Sequence, residues 1–512
     1  MILPTTDRAA PTSAPVWPAP AEAAELFQRG ELVPVYSTQL ADLETPVSVY
    51  LKLRQLGGES FLLESVEGEE QIGRYSFIGA NPAGVITLRG NSATLMRGGK
   101  SVAHTVPAGD PLALVRAETR RATAVPVAGL PRFTGGAVGF MGYDLVRHFE
   151  RLPETARAEL DIPDAIFLLV DTLVIFDHFR HRLHVLSNAR NNGDPQRAYA
   201  DALHRIEMVA GVLARPLPPM PETAAIPAGA MQSNVTQHQF EKNVLQAKQH
   251  IAAGDAFQIV LSQRFSRQSG APALAIYRAL RAVNPSPYMF LFEFGQMADG
   301  QPLSLVGASP EMMVRLQDEV ATVRPIAGTH RRGVTAAEDE QFAAQLCADP
   351  KERAEHVMLV DLARNDLGRV CAYGTVNVPR MMYIERYSHV MHIVSQVQGR
   401  VRTGMDAFDL LKATFPAGTL SGAPKVRAMQ IIEALEGVRR GPYGGAVGYF
   451  GYDGSMDTCI TIRAVTKHGN TAHIQAGAGI VADSDPTREY EETINKARGM
   501  DQALRDAEAG LL

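Results

Sequence analysis

Apolar segments short enough to be β-strands follow one another directly through much of the first half of this chain, with Gly and Pro between them. Examples are residues 85–88, 166–176 and 183–186. Strands joined by short turns pair antiparallel, whereas parallel strands need a long crossover that is usually a helix. The pattern therefore predicts an α+β (α/β) fold without a doubly wound parallel sheet. We expect large antiparallel sheets packed with helices, in an α/β/α sandwich-like arrangement of two subdomains.

Changes in composition divide the 512 residues into four segments. Residues 1–22 are rich in Pro and Ala and are predicted to be a disordered extension. Residues 23–213 hold the successive strands. Residues 214–232 (ARPLPPMPETAAIPAGAMQ) contain five prolines and no periodicity, which is typical of a linker. Residues 233–512 form a second region, which opens with a helical pattern ended by Gly254.

One decapeptide occurs twice in nearly the same form. Residues 135–144 read GGAVGFMGYD and residues 444–453 read GGAVGYFGYD, identical at eight of ten positions. Glycines between small and aromatic residues suit strands whose backbones approach closely. Duplication of a subdomain and convergence of two glycine-rich strands both explain the repeat.

Bulk composition excludes several classes of protein. The net charge of −5 offers no basic surplus for nucleic acid or anionic lipid. The longest apolar stretch, residues 165–176, is broken by Asp171 and is shorter than the ~18 residues of a membrane span. Cys347, Cys371 and Cys459 are too scattered for a disulfide framework or a zinc site. GxxxxGK[ST], HExxH and GxSxG signatures do not occur. We expect a cytoplasmic protein that binds neither nucleic acid nor a membrane.

Glu311 follows an apolar strand and a Ser-Pro turn in LSLVGASPEMMVRL (residues 303–316). A carboxyl group in apolar surroundings is desolvated, which raises its pKa towards the range of a general acid. The alternative is a turn glutamate in water, and the residues alone do not decide between the two.

The helical stretch KERAEHVMLVDLARNDLGR (residues 351–369) places Glu355 and Asp366 on one face with Leu359 and Leu362. A carboxylate on an apolar stripe needs a cation partner, because an unpaired buried charge is too costly. Either a basic side chain or a metal ion meets that need, and a structural ion pair is the more common solution.

Glu492 shows the opposite pattern in REYEETINKAR (residues 488–498). The apolar stripe of that helix is Tyr490, Ile494 and Ala497, and Glu492 points away from it, four residues before Lys496. This spacing is typical of a solvated surface pair.

Three further features suit an anionic ligand. Arg463 lies in DTCITIRAVT (residues 457–466), whose alternation predicts a strand, and a strand arginine often meets an anion. Gly328, in RPIAGTHRRG, and the run 477–479 (Gly-Ala-Gly) allow backbone N–H groups to face a ligand.

His392 lies in an apolar segment, where a histidine is more often a core residue than a catalyst.

Taken together, these segments resemble the motifs of chorismate-utilising enzymes. In order they are PIAGT, AEHVMLVDLARND, SHVMHIVS, GTLSGAPK, GYFGYDGSMDTCITIR, QAGAGIVADSDP and EETINKA. The resemblance covers nearly all of residues 233–512. FLLES (61–65) and NPSPYMF (284–290) resemble the tryptophan-feedback elements of anthranilate synthase large subunits and extend the likeness to most of the chain.

The resemblance implies roles that the residue patterns alone do not give. Mg2+ would be held by Glu355 and Glu492, which reverses the surface reading of Glu492. The catalytic residues would be Glu311, His392 and Thr419. Glu311 would be the acid at the departing 4-hydroxyl, and His392 would assist the elimination of pyruvate. The residues implied to contact chorismate are Gly328, Thr329, Tyr443, Arg463, Gly477, Ala478 and Gly479. The residues implied to bind tryptophan are Ser65, Pro287, Tyr288 and Met289.

Two positions favour the anthranilate-forming branch. Relatives that use water as nucleophile carry a lysine base where this chain has Gln258, and aminodeoxychorismate synthases usually carry a lysine nucleophile where it has Ala327. The expected reaction converts chorismate and ammonia to anthranilate and pyruvate under tryptophan feedback, the first committed step of tryptophan biosynthesis. The alternatives are an aminodeoxychorismate or aminodeoxyisochorismate synthase, or a non-catalytic tryptophan-binding paralogue.

The source of ammonia is expected to be a separate protein. No cysteine of the chain lies in the GxCxGxQ-like elbow of a glutaminase. The resemblance therefore implies a glutamine amidotransferase subunit as partner, and a hetero-oligomer.

Overall fold

The computed structural model describes residues 15–65, 73–127, 129–227, 229–387 and 390–510. Its strands are β1 (Val16–Trp17), β2 (Leu32–Leu40), β3 (Ser60–Glu64), β4 (Tyr75–Ala80), β5 (Gly84–Arg89), β6 (Ser92–Arg97), β7 (Lys100–Thr105), β8 (Gly136–Met141), β9 (Ala165–Val170), β10 (Thr172–Asp177), β11 (Arg182–Arg190), β12 (Gln232–Ser233), β13 (Gln258–Gln268), β14 (Tyr288–Gln296), β15 (Pro302–Ser309), β16 (Met312–Gln317), β17 (Val320–Val323), β18 (Ile326–Arg331), β19 (Asn377–Arg386), β20 (Val390–Arg400), β21 (Gly422–Ala423), β22 (Ala446–Gly451), β23 (Met456–Ile460), β24 (Ala464–His468) and β25 (Thr471–Ile480). Its helices are α1 (Pro20–Leu26), α2 (Pro46–Leu53), α3 (Ala113–Thr119), α4 (Pro195–Leu213), α5 (Gln237–Ala252), α6 (Ala273–Val283), α7 (Ala336–Ala348), α8 (Pro350–Gly368), α9 (Ala407–Thr414), α10 (Gly418–Ser421), α11 (Lys425–Glu436) and α12 (Pro486–Glu508).

The described strands form two large sheets. The first has 13 strands in the order β1-β2-β11-β10-β4-β3-β14-β15-β24-β25-β13-β12, with β21 beside β13. The second has 12 strands in the order β18-β20-β17-β16-β23-β22-β8-β9-β5-β6-β7, with β19 beside β20. Neighbouring strands pair antiparallel, as in β13 with β25 and β8 with β22. The predicted antiparallel α+β fold is confirmed.

The two sheets pack face to face, which adds a layer to the expected α/β/α arrangement. Phe61, Phe290 and Phe292 of the first sheet share one core with Phe140 and Tyr449 of the second. Helices α2, α4, α6 and α12 cover the outer face of the first sheet, and α8, α9 and α11 contribute to the core on the outer face of the second. The order is therefore α/β/β/α, because central strands such as β9 are buried on both faces.

The two halves of the chain share both sheets, and the repeated decapeptides meet at a seam between them. Strand β8, from the first copy, lies beside β22, from the second, with Gly139 opposite Gly448. In the other sheet β3 of the first half lies beside β14 of the second. The described residues between Leu213 and Gln232, in the predicted linker, form no helix or strand.

The pairing of β8 with its other neighbour, β9, depends on the absence of a side chain at Gly139. A β-carbon at Gly139 would lie 1.9 Å from the carbonyl oxygen of Ile166. We expect Gly139→Ala to lower the free energy of unfolding by about 3 kcal/mol, since two paired backbones would have to separate. Urea unfolding measures this change. The control is Gly211→Ala in α4, where nothing lies near the added methyl; equal loss in both variants would contradict the packing argument.

The prediction of disorder for residues 1–22 is wrong for its last part. Residues 1–14 lie outside the described residues. Val16 and Trp17, however, pair with Ser37 and Tyr36 of β2, and α1 begins at Pro20. The ring of Trp17 lies 5.4 Å from that of Tyr36, so this aromatic anchor outweighs the Pro- and Ala-rich composition. In the described part of the chain, no helix combines the length and apolarity needed to cross a membrane.

Candidate active site at the crossover between the sheets

Arg463 lies where the chain passes from one sheet to the other. Residues 457–466 read as one alternating strand, but that interpretation is wrong, since β23 ends at Ile460 in the second sheet and β24 begins at Ala464 in the first. Arg463 sits in this crossover with a φ of 51°, a left-handed conformation that non-glycine residues adopt rarely. Its carbonyl accepts a hydrogen bond from the Ala308 N–H at 3.0 Å. Alternation cannot reveal the crossing because the pattern continues across it.

The guanidinium of Arg463 is available to an anion. It makes no ion pair with a carboxylate of the described residues, and its Nη1 donates to the Lys496 carbonyl at 3.2 Å. Burial lowers the pKa of Arg463, while Tyr443 and Glu492 act in the opposite direction. It lines an open groove with residues of α12, including Glu492 and Lys496. A carboxylate bound there would pair with a cation that is already largely desolvated.

The glycines of β25 bring backbone close to polar side chains. A β-carbon at Gly477 would lie 2.7 Å from the hydroxyl of Tyr443, and one at Gly479 would lie 2.8 Å from the amide nitrogen of Gln258. The Gly477 carbonyl accepts from Lys496 Nζ at 3.0 Å. Ala478 is fully buried and packs in an apolar cluster on the other side of the strand. The predicted run thus presents backbone, and not side chains, to the site.

Glu311 has the surroundings expected of a general acid. It directly precedes β16 and shares a pocket with Leu359 and Leu362 of α8. Burial raises the pKa of its carboxyl to about 7, against the opposing effect of a hydrogen bond from Thr419 Oγ1 to its Oε1 at 2.8 Å. Of the two alternatives, the desolvated carboxyl is the one that the structure shows.

His392 is held in one tautomer. Its Nδ1 donates to the carbonyl of Gly328 at 2.9 Å, with the Thr329 hydroxyl 3.2 Å away. Because a carbonyl only accepts, Nδ1 carries the proton and Nε2 keeps a lone pair. Burial lowers the pKa of His392, which favours the neutral form. Gly328 has a φ of 67°, and a β-carbon there would lie 2.9 Å from a carboxylate oxygen of Glu352.

The two carboxylates on α8 have different environments. Asp366 forms an ion pair with Lys425 at 2.8 Å. The cation partner of this residue is therefore a basic side chain and not a metal ion. Glu355 accepts a hydrogen bond from Gln258 Nε2 at 3.3 Å and forms no ion pair within the described part of the chain. Glu492 pairs with Lys496 at 2.6 Å and is half-exposed, as its helical spacing predicted.

Within α8, and likewise within α12, neighbouring carboxylates repel one another, which suits a cation site. Burial raises the pKa of Glu352 and the charge of Glu355 raises it further. Burial also raises the pKa of Glu489, and Glu492 adds to that effect. Among the described residues, no three His, Cys, Asp or Glu side chains form a ready metal site. Glu355 and Glu492 therefore fit Mg2+ only as part of a shell that water or substrate oxygens complete.

A second cavity has a different set of lining residues from this site. Its lining includes all four residues of the implied tryptophan site, Ser65, Pro287, Tyr288 and Met289. Its empty space is about 520 Å³, the open mouth included. In its lining, Arg315 Nε donates to Asp457 at 2.8 Å and the Tyr288 hydroxyl donates to the same carboxylate at 3.2 Å.

Sequence reasoning missed one residue at the active site. Lys496 contacts both the Gly477 carbonyl and Glu492, and so links β25 to the proposed metal ligand. Helical spacing revealed its pair with Glu492 but carried no signal for its reach to a strand.

The chain is similar in sequence to a known family over most of its length. The sequence profile of the chorismate binding enzymes matches residues 58–502. The chain is 44% identical to anthranilate synthase component 1 of Acetivibrio thermocellus over 482 residues, covering 93% of this chain and 96% of that protein. It is 46% identical to anthranilate synthase component 1 of Synechocystis over 504 residues, covering 94% and 97%.

A solved structure shows the same similarity in three dimensions. The crystal structure of anthranilate synthase component I from Streptococcus pneumoniae superposes with a TM-score of 0.73 at 36% identity, covering 90% of this chain and 98% of that one. Since the profile and these relatives span nearly the whole chain, it belongs to the chorismate binding enzyme family, within the group of anthranilate synthase component 1 proteins.

Proposed function

We propose that the chain converts chorismate and ammonia to anthranilate and pyruvate, as the Mg2+-dependent lyase subunit of a two-component enzyme. The observation that carries the proposal is a pair of groups, the Glu311 carboxyl with its pKa raised to about 7 and the His392 imidazole with a free Nε2. An acid and a base of this kind are what the two half-reactions need. The relatives named above also carry the name of the anthranilate-forming enzyme. Their names do not favour the alternative reactions, which form aminodeoxychorismate or stop at aminodeoxyisochorismate.

Binding comes first in the mechanism. The guanidinium of Arg463 pairs with a carboxylate of chorismate, while the Tyr443 hydroxyl and the backbone of β25 at Gly477 and Gly479 fix its orientation. Glu355 and Glu492 would hold Mg2+, which would supply positive charge to neutralise the ring carboxylate. Glycine at these strand positions leaves room for the substrate where a side chain would fill it.

Amination then needs an acid. Glu311, whose pKa of about 7 keeps a large fraction of its carboxyl protonated at neutral pH, donates its proton to the departing 4-hydroxyl as ammonia attacks ring carbon 2. Thr419, which donates to Oε1 of Glu311, orients the carboxyl so that its other oxygen faces the leaving group.

Elimination needs a base. His392 Nε2 removes the proton from carbon 2 of the aminodeoxyisochorismate intermediate. The electrons of that C–H bond form a ring double bond, the bond from carbon 3 to the ether oxygen breaks, and enolpyruvate leaves and becomes pyruvate. Aromatisation of the ring drives this step.

The position of Gln258 supports ammonia as the nucleophile. Its amide donates to Glu355 and has no basic nitrogen with which to activate water. Ammonia is already a good nucleophile and needs no such base. Ala327 likewise offers no amine to attack the ring, as the lysine of aminodeoxychorismate synthases does.

The test of the proposal is the stoichiometry of the two products. Purified chain is incubated with chorismate, Mg2+ and ammonium, and anthranilate and pyruvate are quantified from the same sample. The proposal expects equal amounts of both. Aminodeoxychorismate, or aminodeoxyisochorismate without pyruvate, would instead identify a sibling synthase.

We also propose that ammonia reaches the site from a separate glutamine amidotransferase subunit. The three cysteines are free thiols, and Cys371 and Cys459 are buried, so neither is placed to attack glutamine. Unpaired thiols also fit the reducing cytoplasm. We expect the isolated chain to use ammonium but not glutamine, and to gain glutamine-dependent activity when the amidotransferase is added.

Tryptophan is the proposed occupant of the cavity lined by Ser65, Pro287, Tyr288 and Met289. We expect tryptophan to inhibit the chain, and Ser65→Phe to raise its half-inhibitory concentration by at least about 10-fold, because the added ring fills the cavity. Initial rates at increasing tryptophan measure this. Ser101→Phe, on the exposed strand β7, is the control and keeps normal inhibition. A wild-type enzyme indifferent to tryptophan would refute the regulatory proposal.

A further inference from the structure

His392 packs against a polar cluster that the reaction scheme leaves without a role. The cluster consists of Arg324, Tyr383, Glu385 and Tyr387. Glu385 lies directly opposite His392 in the antiparallel pair of β19 and β20, and side chains of opposite residues lie on the same face of a sheet. The cluster therefore shares a face with the proposed base of the elimination step.

Hydrogen bonds fix the carboxylate of Glu385 from two sides. Arg324 Nη2 forms an ion pair with Oε1, and the Tyr387 hydroxyl donates to Oε2 at 2.9 Å. Arg324 also donates to the Tyr383 hydroxyl at 3.1 Å. Both charged side chains are largely buried, at 12% and 15% exposed. A carboxylate held in this way is fixed in one place.

Tyr387 connects this carboxylate to the imidazole. Its ring lies 5.6 Å from the ring of His392 in an edge-to-face arrangement. Its own carbonyl accepts from Arg332 Nη1 at 2.5 Å, which anchors the backbone at that point. The imidazole is thus held between Tyr387 on one side and the Gly328 carbonyl on the other.

We propose that Glu385, fixed by Arg324 and Tyr387, is a positioning residue that orients His392 and keeps its Nε2 basic for removal of the carbon-2 proton. This inference rests on the proposed function for the identity of the substrate. Two charged side chains act on His392 in opposite directions. Glu385 favours the protonated imidazole, and Arg463 favours the neutral one. Among the described residues, the other groups that contact His392 are the uncharged Thr329 hydroxyl, the Gly328 carbonyl and the Tyr387 phenol.

Two substitutions separate this role from simple packing, because they move the basicity of His392 in opposite directions. Glu385→Gln keeps the shape and removes the charge, so the acid limb of the pH profile for elimination is expected to move down by about one pH unit. Tyr387→Phe keeps the ring but removes the hydroxyl that donates to Glu385. Less of the negative charge of Glu385 is then compensated. The acid limb of the pH profile of this variant is expected to move to higher pH, by less than one unit.

The rates give a second readout. The elimination step of Glu385→Gln is expected to slow by about threefold to tenfold, as a weaker base removes a proton more slowly. Amination should keep its wild-type rate, so the aminodeoxyisochorismate intermediate is released. The matched control is Glu340→Gln, whose carboxylate is 74% exposed and pairs with Arg386; its pH profile and rates should equal those of the wild type.

The deciding measurement is the titration of His392 by NMR in full-length chain with 15N-labelled histidine, assigned by comparison with His392→Asn. Shifts of opposite sign in Glu385→Gln and Tyr387→Phe are expected. Equal titration in both variants and the wild type, or equal slowing of both half-reactions, would overturn the inference. Because the titration needs no substrate, it reports on Glu385 even if the wild-type chain makes no anthranilate, which would instead refute the proposed function.

Discussion

Glu311→Gln is expected to reduce the rate of anthranilate formation by about 1,000-fold, because a general acid typically contributes a factor of this order and an amide has no proton of suitable acidity to give. The geometry that supports this expectation is the carboxyl with its pKa raised to about 7 and the hydrogen bond from Thr419. Steady-state rates with saturating ammonium at neutral pH measure the loss. The matched control is Glu319→Gln, whose side chain is 75% exposed and pairs with Arg400.

Stability distinguishes this loss from unfolding. The pKa of Glu311 is raised from 4.5 to about 7 in the folded chain, so its contribution to stability is fully present below pH 4.5 and is lost as the pH rises through about 7. Glutamine has no such dependence. The variant should therefore unfold at the same or a higher temperature than the wild type at pH 8, with the difference shrinking at pH 5. A destabilised variant at pH 8 would contradict the burial of this carboxyl.

Glu355→Gln is expected to abolish Mg2+-dependent turnover, with a loss of about 1,000-fold or more, since a metal ion supplies several kcal/mol of charge stabilisation. The residue forms no ion pair within the described residues, and its charge raises the pKa of Glu352. Binding of Mg2+ in the presence of chorismate, measured by calorimetry, should weaken in parallel. Removal of the metal from the wild type by chelation should give the same residual rate.

The control for this variant lies on the same helix. Asp361→Asn changes a carboxylate of α8 that is 61% exposed and pairs with Arg364, so Mg2+ affinity and rate should not change. Full activity in Glu355→Gln, with an unaltered response to Mg2+, would remove this residue from the metal site.

Much of the fold can be predicted from the local sequence, but its layering cannot. Strands that follow one another without helices predicted antiparallel sheets. The apolar run 166–176 was expected to be one strand, yet it belongs to β9 of the second sheet and β10 of the first, and the chain crosses near Asp171. The same crossing separates β23 from β24 around Arg463. Periodicity describes which residues are apolar, not which sheet they join, so the number of layers stays hidden.

The candidate site divides in a similar way between local and distant contacts. Spacing along a helix correctly predicted the pair of Glu492 and Lys496, four residues apart. The partner of Glu311 is Thr419, 108 residues away, and the partner of Asp366 is Lys425, 59 residues away. No local pattern specifies such contacts, since they depend on how the sheets and helices pack. The family resemblance named the residues of the candidate site, and the structure shows the contacts that they make.

The measurement that tests the central proposal most directly is the fluorescence of anthranilate, followed continuously with chorismate and ammonium. Three samples are compared: wild-type chain with Mg2+, the same sample after addition of a chelator, and the Glu311→Gln variant with Mg2+. The proposal predicts emission that grows in the first sample alone. Consumption of chorismate without emission in the first sample, or emission that persists in the other two, would contradict it.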